Sequence, residues 1–286
     1  MLLLCIVFSG LNVLKFSVYA QPLTPDSLYP GQTPPGIIRK IFNLIANPGN
    51  SAVGKLAISP DGKAFYYQAT NSSRTSSKLK YYGFFNNKWN GSVDLLHGFL
   101  CLSPSPYGHF LYFEDINYND CWISDQPGTA RNPPVRFFGK SNVHSLNVPN
   151  SGKFYLSSNP AGGQGQREMC KLNVENIDTS LPGLGLPVKS GTSGGGFFVA
   201  RDGAFMIFMS NRSGGSGTAG LTISYSKSDN TLTNPKITGP SVNTSVDDFR
   251  LCITTGNKYL IYERDYAIPG SMYRVRVDQL IDSNPA

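Results

Sequence analysis

Three sets of side chains could do chemistry. Glu114 and Asp115, and Glu263 and Asp265, follow two aromatic segments of similar pattern, while Asp247 and Asp248 precede a short apolar run. Paired carboxylates facing across a cleft are what glycoside hydrolysis uses, one as acid and the other as base or nucleophile. His97 and His144 each stand just before an apolar segment. Such a pair could share a metal ion or relay a proton near neutral pH, with Asp247 or Asp248 as a third ligand. The bland alternative is two rim histidines, solvated or hydrogen-bonded. Lys55, Arg74, Arg167 and Arg212 are scattered cations suited to an anionic partner. Gly194-Gly195-Gly196 has no following Lys, which excludes a phosphate loop, and no Ser-centred elbow orders a hydrolase triad.

The elements that position these groups read as β throughout. Fifteen Tyr and 17 Phe stand among 30 Gly and 20 Pro, and only 15% of residues are charged. That composition argues against disorder and against a helical bundle. A Gly-containing turn followed by an aromatic strand recurs five times, at Gly62, Gly108, Gly152, Gly203 and Gly256. The strands are FYYQATN, FLYFEDIN, FYLSSNP, FMIFMSN and YLIYERD. A period of ~40–50 residues built only of strands and turns means propeller blades. The aromatics of these second strands are expected to be core layers between blades.

Each unit resolves into four strands. The first precedes the Gly turn (GKLAIS, HGFLCLS, HSLNVP, GGFFVA, DFRLCI). The second follows it, and the third comes after a polar loop (LKYYGFF, DCWISD, EMCKLNV, GLTISYS, MYRVRV). A Pro-containing fourth lies near GSVDLL, PPVRFF, LGLPVK and PKITGP, and is missing from the last unit. Residues 34–42, PPGIIRKIF, have no unit of their own. They are expected to supply the missing strand beside 272–277, burying Ile37, Ile38, Ile41 and Phe42 and removing an open edge. The reading is all-β, a single propeller of five four-stranded blades closed by an N-terminal strand, with six blades as the alternative.

Residues 2–11 are almost continuously apolar, and Val18-Tyr19-Ala20 presents small residues before Gln21. This reads as a signal peptide over 1–20, with an anchor helix as the alternative, and the propeller as 21–286. The apolar run is too short to span a bilayer, and no later segment is long and apolar enough. The protein is therefore expected in the periplasm or outside the cell. Losing Lys15 with the leader takes the net charge from +7 to +6. No basic stripe suggests nucleic acid. Cys101, Cys121, Cys170 and Cys252 form no CxxC pair, so buried thiols are expected rather than zinc ligands, with disulfides permitted by export. Asn71, Asn90, Asn211 and Asn243 head sequons that matter only where the host glycosylates.

ISPDGKAFYY (58–67) is similar to the SPDGK-type repeat of TolB-like, WD-like propellers of bacterial envelopes. Residues 210–237 resemble that family's Gly-rich loop, strand, turn and "W-x-x-P" outer strand, with Leu232 where Trp is usual. Residues 158–173 echo the pattern one blade earlier, and LYPGQTPPG (28–36) resembles its leader to the first blade. Three turns lack the Asp of the pattern. That Asp is expected to cap its own turn. The resemblance covers about residues 28–281 and implies fold more firmly than activity.

If the first strand of each blade runs down the channel, its start lies at an upper rim. Arg74, Asp115, Arg167, Arg212 and Asp265 fall in loops of that face. Lys55, His97, His144, Asp247 and Asp248 fall at or near inner-strand starts, and Gly162–Gly165 and Gly214–Gly217 are Gly-rich loops beside them. The expected function is binding of an envelope protein or glycan through this face, by a monomer with no cofactor. The competing class is a glycosidase or lyase on the same scaffold, since five-bladed propellers do host glycosidases.

Overall fold

The computed structural model describes residues 32–46, 48–73, 75–117, 120–125, 133–139, 143–158, 168–172, 183–185, 187–188, 196–210, 220–264 and 272–281. The leader 1–20, Arg74, Arg167, Arg212, Asp265, Asn211 and the loops 162–165 and 214–217 lie outside them. Among the described residues no helix is long and apolar enough to cross a membrane.

Five antiparallel sheets follow one another along the chain. The first holds β2 (Asn50–Ile58), β3 (Ala64–Asn71), β4 (Ser77–Phe85) and β5 (Lys88–His97) in chain order. The second holds β6 (Phe99–Pro104), β7 (Phe110–Asp115), β8 (Asp120–Asp125) and β9 (Val135–Gly139). The third holds β10 (His144–Asn147), β11 (Phe154–Ser158) and β12 (Glu168–Leu172). Among the described residues its outer edge is completed by a bridge from Cys170 to Gly183 and a bond from Leu184 N to Met169 O. The fourth holds β13 (Phe197–Val199), β14 (Phe205–Ser210), β15 (Gly220–Tyr225) and β16 (Lys236–Ile237). The fifth holds β17 (Asp248–Ile253), β18 (Tyr259–Arg264) and β19 (Met272–Arg276), with β1 (Lys40–Ile41) against β19. The protein is a five-bladed β-propeller closed by its N-terminal strand.

Five apolar layers lie between neighbouring blades. Tyr66, Leu79, Leu102 and Phe113 join blades one and two. Cys121, Phe138, Leu146 and Phe154 join two and three. Met169, Phe197 and Phe208 join three and four. Ile207, Ile223, Leu251 and Tyr262 join four and five. Phe42, Phe65, Tyr67, Tyr259 and Ile261 join five and one. The aromatic second strands thus supply inter-blade packing, as their sequence implied. Leu232 takes the place of the usual Trp and packs, half-buried, between blades three and four.

The closing strand differs from expectation in what it buries. Lys40 pairs with Arg274 and Ile41 with Tyr273. Phe42 N donates to Met272 O at 2.8 Å, and Arg276 N to Gly36 O at 2.9 Å. Only Phe42 is buried; Ile37, Ile38 and Ile41 are 60%, 76% and 55% exposed. An outermost strand has a blade on one side only. Here a two-residue pairing turns Ile37, Ile38 and Ile41 outward, and the strand itself is held by backbone bonds and one ring. Phe42 meets Phe65 edge-on at 5.3 Å, and the Arg274 guanidinium lies 5.1 Å from its centroid.

The turns between first and second strands share one design. A backbone N–H closes each onto the residue three earlier: Gly62 to Ser59, Gly108 to Ser105, Gly152 to Pro149, Gly203 to Ala200 and Asn257 to Thr254. The donor residue is left-handed in all five, with φ between 58° and 77°, which is why Gly recurs there. In the fifth turn Asn257 takes that place, so the repeat there is one residue out of the register that Gly256 suggested. Asp61 accepts from Lys63 N and Asp202 from Ala204 N, so both acids cap their own turns. In three blades a hydroxyl at the first turn position accepts the N–H five residues on: Ser59 from Ala64, Ser105 from Phe110 and Thr254 from Tyr259.

Candidate functional site

The inner strands are irregular at one level. Their pairing slips between Val53 and Ala57, Leu100 and Ser103, His144 and Asn147, and Phe249 and Cys252. A slip leaves N–H groups without a ladder partner. Two glutamates meet them across blade boundaries. Glu263 of blade five accepts Gly54 N of blade one at 2.7 Å, and Glu114 of blade two accepts Leu146 N of blade three at 3.4 Å. Both glutamates are fully buried and stand nine residues past the first residue of their turns, Thr254 and Ser105. Glu263 is also paired with Arg250 at 2.7 Å. Gly54 is required at its place: its φ is +87°, and a Cβ there would meet the Gln68 side chain at 2.2 Å.

Of the acids read as glycosidase carboxylates, Glu114 and Glu263 are therefore inter-blade latches. Asp115 accepts Asn117 N at 2.7 Å and Asp120 N at 2.8 Å, closing the turn after β7. Asp248 is fully buried and bound by Arg264 Nε at 3.0 Å. Burial raises its carboxyl pKa, an effect offset in part by Arg264 and Thr244. Asp247 is half-buried at the start of the same strand.

The histidines do not occupy equivalent places. His97 ends the outer strand β5 of blade one, 66% exposed and 4.0 Å from Asp94, rather than opening the inner strand of blade two. Gly98, with φ of 78°, separates it from β6 and redirects the chain. His144 opens the inner strand β10, is buried, and its carbonyl accepts the Ser157 hydroxyl at 3.0 Å. Among the described residues no group of three His, Cys, Asp or Glu could hold a metal ion.

Lys55 is also placed differently. β2 begins at Asn50, so Lys55 lies mid-strand and buried, not at the strand start. Its ammonium donates to the Leu146 carbonyl of blade three. It lines a cavity of about 270 Å³ at the turn end of the channel, opposite the strand starts. All five blades contribute to its wall, one inner position each: Ala57, Ser103, Asn147, Phe198 and Cys252, every one two residues before its turn. Arg201 and Thr255, second residues of adjacent turns, complete its rim. Sequence reading passed over both, because they sit in turns whose neighbours carry Pro or Asn there. The signal was present as a lone cation at a repeated position.

The thiols behave as expected where they are described. Cys121, Cys170 and Cys252 are buried and free. Burial pushes the Cys252 thiol up to about 12, although Lys55 and Arg201 act in the opposite sense. Asn243 cannot be a glycan acceptor in the folded chain, because it is buried and bonds both Leu221 N and Leu221 O.

With this geometry in hand, one solved structure decides the comparison. The chain resembles TolB in fold. The match is to TolB from Acinetobacter baumannii, with a TM-score of 0.52 and 13% identity. It covers 80% of this chain and 55% of TolB, so this chain spans about half the length of that relative. A nidogen in complex with laminin matches at 0.47, 11% identity, over 77% of this chain and 74% of that one. The periplasmic gluconolactonase of Pseudomonas aeruginosa matches at 0.45, 14% identity, over 78% and 66%. No protein family matches the sequence, and no curated protein does.

Proposed function

We propose that this protein is an exported, monomeric binding propeller that holds a protein or glycan of the cell envelope on the face opposite the hairpin turns. The observation that carries the reading is the engagement of the channel acids. Glu263, Glu114 and Asp248 are tied to N–H groups or guanidinium groups of the scaffold, and Asp115 closes a turn. A general acid needs a carboxyl within reach of substrate and tuned towards the working pH. A carboxyl buried as a latch between two blades is out of that reach. The loops of Arg74, Arg167 and Arg212 would then supply cationic contacts, as the +7 formal charge suggests.

The test is affinity capture from envelope extract with the chain and with a variant carrying Arg74→Glu, Arg167→Glu and Arg212→Glu. The variant should fold normally and lose its partners. Retention of every partner overturns the assignment of the face. Turnover of any substrate in a glycan hydrolysis panel overturns the non-enzymatic reading in favour of a carbohydrate-active enzyme.

A further inference from the structure

At the end of the propeller that carries the hairpin turns, large apolar side chains stand in water on separate blades. Blade one sends out a tip. After Gly83 pairs with Ala64, β4 and β5 run on for two more pairs, Phe84 with Trp89 and Phe85 with Lys88. Asn86 and Asn87, with φ of 53° and 56°, close them in a two-residue turn. Phe84 and Trp89 meet edge-on at 5.4 Å and brace the tip, on which Phe85 is 56% exposed. On blade two Tyr107, in the hairpin turn, is 81% exposed, and Phe110 just after it is exposed too. On blade five the exposed Ile37 and Ile38 follow Gly36, whose carbonyl accepts Arg276 N. Arg276 pairs with Tyr259, just past the turn of that blade. One exposed apolar side chain is ordinary. These stand at one end of three blades that are consecutive around the ring.

Cations lie among them. Lys63 and Lys153 follow their hairpin turns, Lys88 sits on the tip, and Lys227 follows Ser226, whose hydroxyl reaches Gly203 O in the turn of blade four. All four are exposed, and among the described residues none is ion-paired. Lys171 stands close to Lys153: burial, and then the Lys153 charge, lower its pKa. Two ammonium groups crowded in this way favour an anion beside them. Of the acids at this end, Asp61, Asp202 and Asp229 are turned onto N–H groups of their own turns, Asp125 is half-buried, and Asp278 is paired with Arg276. Cations still outnumber acids there among the described residues. A protein partner would need one continuous complementary patch. Separate apolar tips with lysines between them fit a surface that is flat, fluid and negative. We infer that the turn end of the propeller docks on an anionic phospholipid bilayer, with Ile38, Phe85 and Tyr107 entering the headgroup boundary and the lysines meeting lipid phosphates. Trp89 and Lys88 bring to that boundary an amphipathic ring and a long-stemmed ammonium, the pair that interfaces favour. Docking in this pose turns the opposite face to the aqueous compartment and requires nothing of the partner proposed for it.

Co-sedimentation of the full chain with vesicles of phosphatidylcholine, with and without phosphatidylglycerol, tests the inference. The chain should pellet with the mixed vesicles, far less with phosphatidylcholine alone, and less again as salt screens the lysines. Every variant shares the same N-terminal apolar run, so any pull of its own drops out of the comparison. Ile38→Ser, Phe85→Ser and Tyr107→Ser together should weaken binding about tenfold or more. Lys63→Gln, Lys88→Gln and Lys153→Gln together should weaken it about fivefold for each charge removed, on mixed vesicles only. All six positions are exposed, so urea midpoints should not move, which separates lost docking from lost folding. The Arg74, Arg167, Arg212 variant should bind vesicles as the native chain does, so failure of the partner face and failure of this one are told apart. Lipids brominated near the headgroup end of their chains should quench part of the indole fluorescence, and Trp89→Phe should remove that part. No pelleting with mixed vesicles, pelleting unchanged in both triple variants, or quenching that survives Trp89→Phe overturns the inference. Vesicles left unbound, while the two triple variants lose a protein that the native chain captures from envelope extract, overturn it in favour of a protein partner.

Discussion

The joint between blades five and one and the joint between blades two and three solve the same problem with different means. Both set a glutamate nine residues past a turn and send it into a slipped inner strand of the next blade. At the two–three joint the chain itself runs across, and Glu114 reaches Leu146 N at 3.4 Å. At the five–one joint the chain also runs across, from β1 to β2, but β1 is joined to the rest of blade five only by its pairing with β19. There Glu263 meets Gly54 N at 2.7 Å, Arg250 pairs with the same oxygen, and Phe42 fills the layer between the blades. Where one strand of a blade comes from the far end of the chain, the glutamate contacts are short, charged and backed by a buried ring. The latch recurs at two joints; at the seam Arg250 shares it.

The largest break in that comparison removes the seam. Deleting residues 21–43 takes away β1 and Phe42, exposing the outer edge of β19 and the apolar flank of a blade. The shortened chain should aggregate or be rapidly digested, whereas deleting 21–27 should change neither. A soluble 44–286 chain unfolding in one cooperative step would show that the seam is dispensable. Next in size is the latch itself. Glu263→Ala removes the carboxylate that the half-buried Arg250 and the Gly54 N–H both meet, and should cost more in urea unfolding than the ~1–3 kcal/mol of one unmet N–H. Glu114→Ala should cost ~1–3 kcal/mol through its unmet N–H. Equal losses would mean that Arg250 adds nothing to the seam.

The smallest effect comes from an ion pair at no joint. Lys80 and Lys78 hold the Asp94 carboxyl down to about 2 on the outer strands of blade one. A carboxyl depressed in the folded state stabilises above its unfolded value near 3.9 and loses that contribution as pH falls towards 2. The stability gap between the native chain and Asp94→Asn should therefore be full above about pH 5 and close between about pH 4 and 2. A gap independent of pH would assign the effect to packing instead.

Much of the fold was written in local chemistry. Alternation marked the strands, positive φ demanded Gly at the turns, and an unmatched strand at one end answered a missing strand at the other. What resisted reading was what depends on a neighbouring blade. Glu114 and Glu263 look like free acids at strand ends until the adjoining inner strand slips and offers an N–H. His97 and His144 look equivalent until Gly98 turns the chain and leaves His97 on an outer strand. Ile37, Ile38 and Ile41 carry an apolar pattern, yet an edge strand two residues long has little to cover them. Arg201 drew no notice because only the ring brings its turn to the wall of a cavity that Lys55, nearly 150 residues earlier in the chain, also lines.

The pairing of Lys40 with Arg274 also sets a timetable. During synthesis the first four blades can form in the order in which they leave the ribosome, each from contiguous sequence. The fifth cannot be finished from its own residues. Its last strand has been made since the beginning and must wait, uncommitted, until residues 272–276 arrive. The ring therefore closes only once residues 272–276 have been made, and a nascent chain halted before residue 272 carries blade one with a side still open to its surroundings.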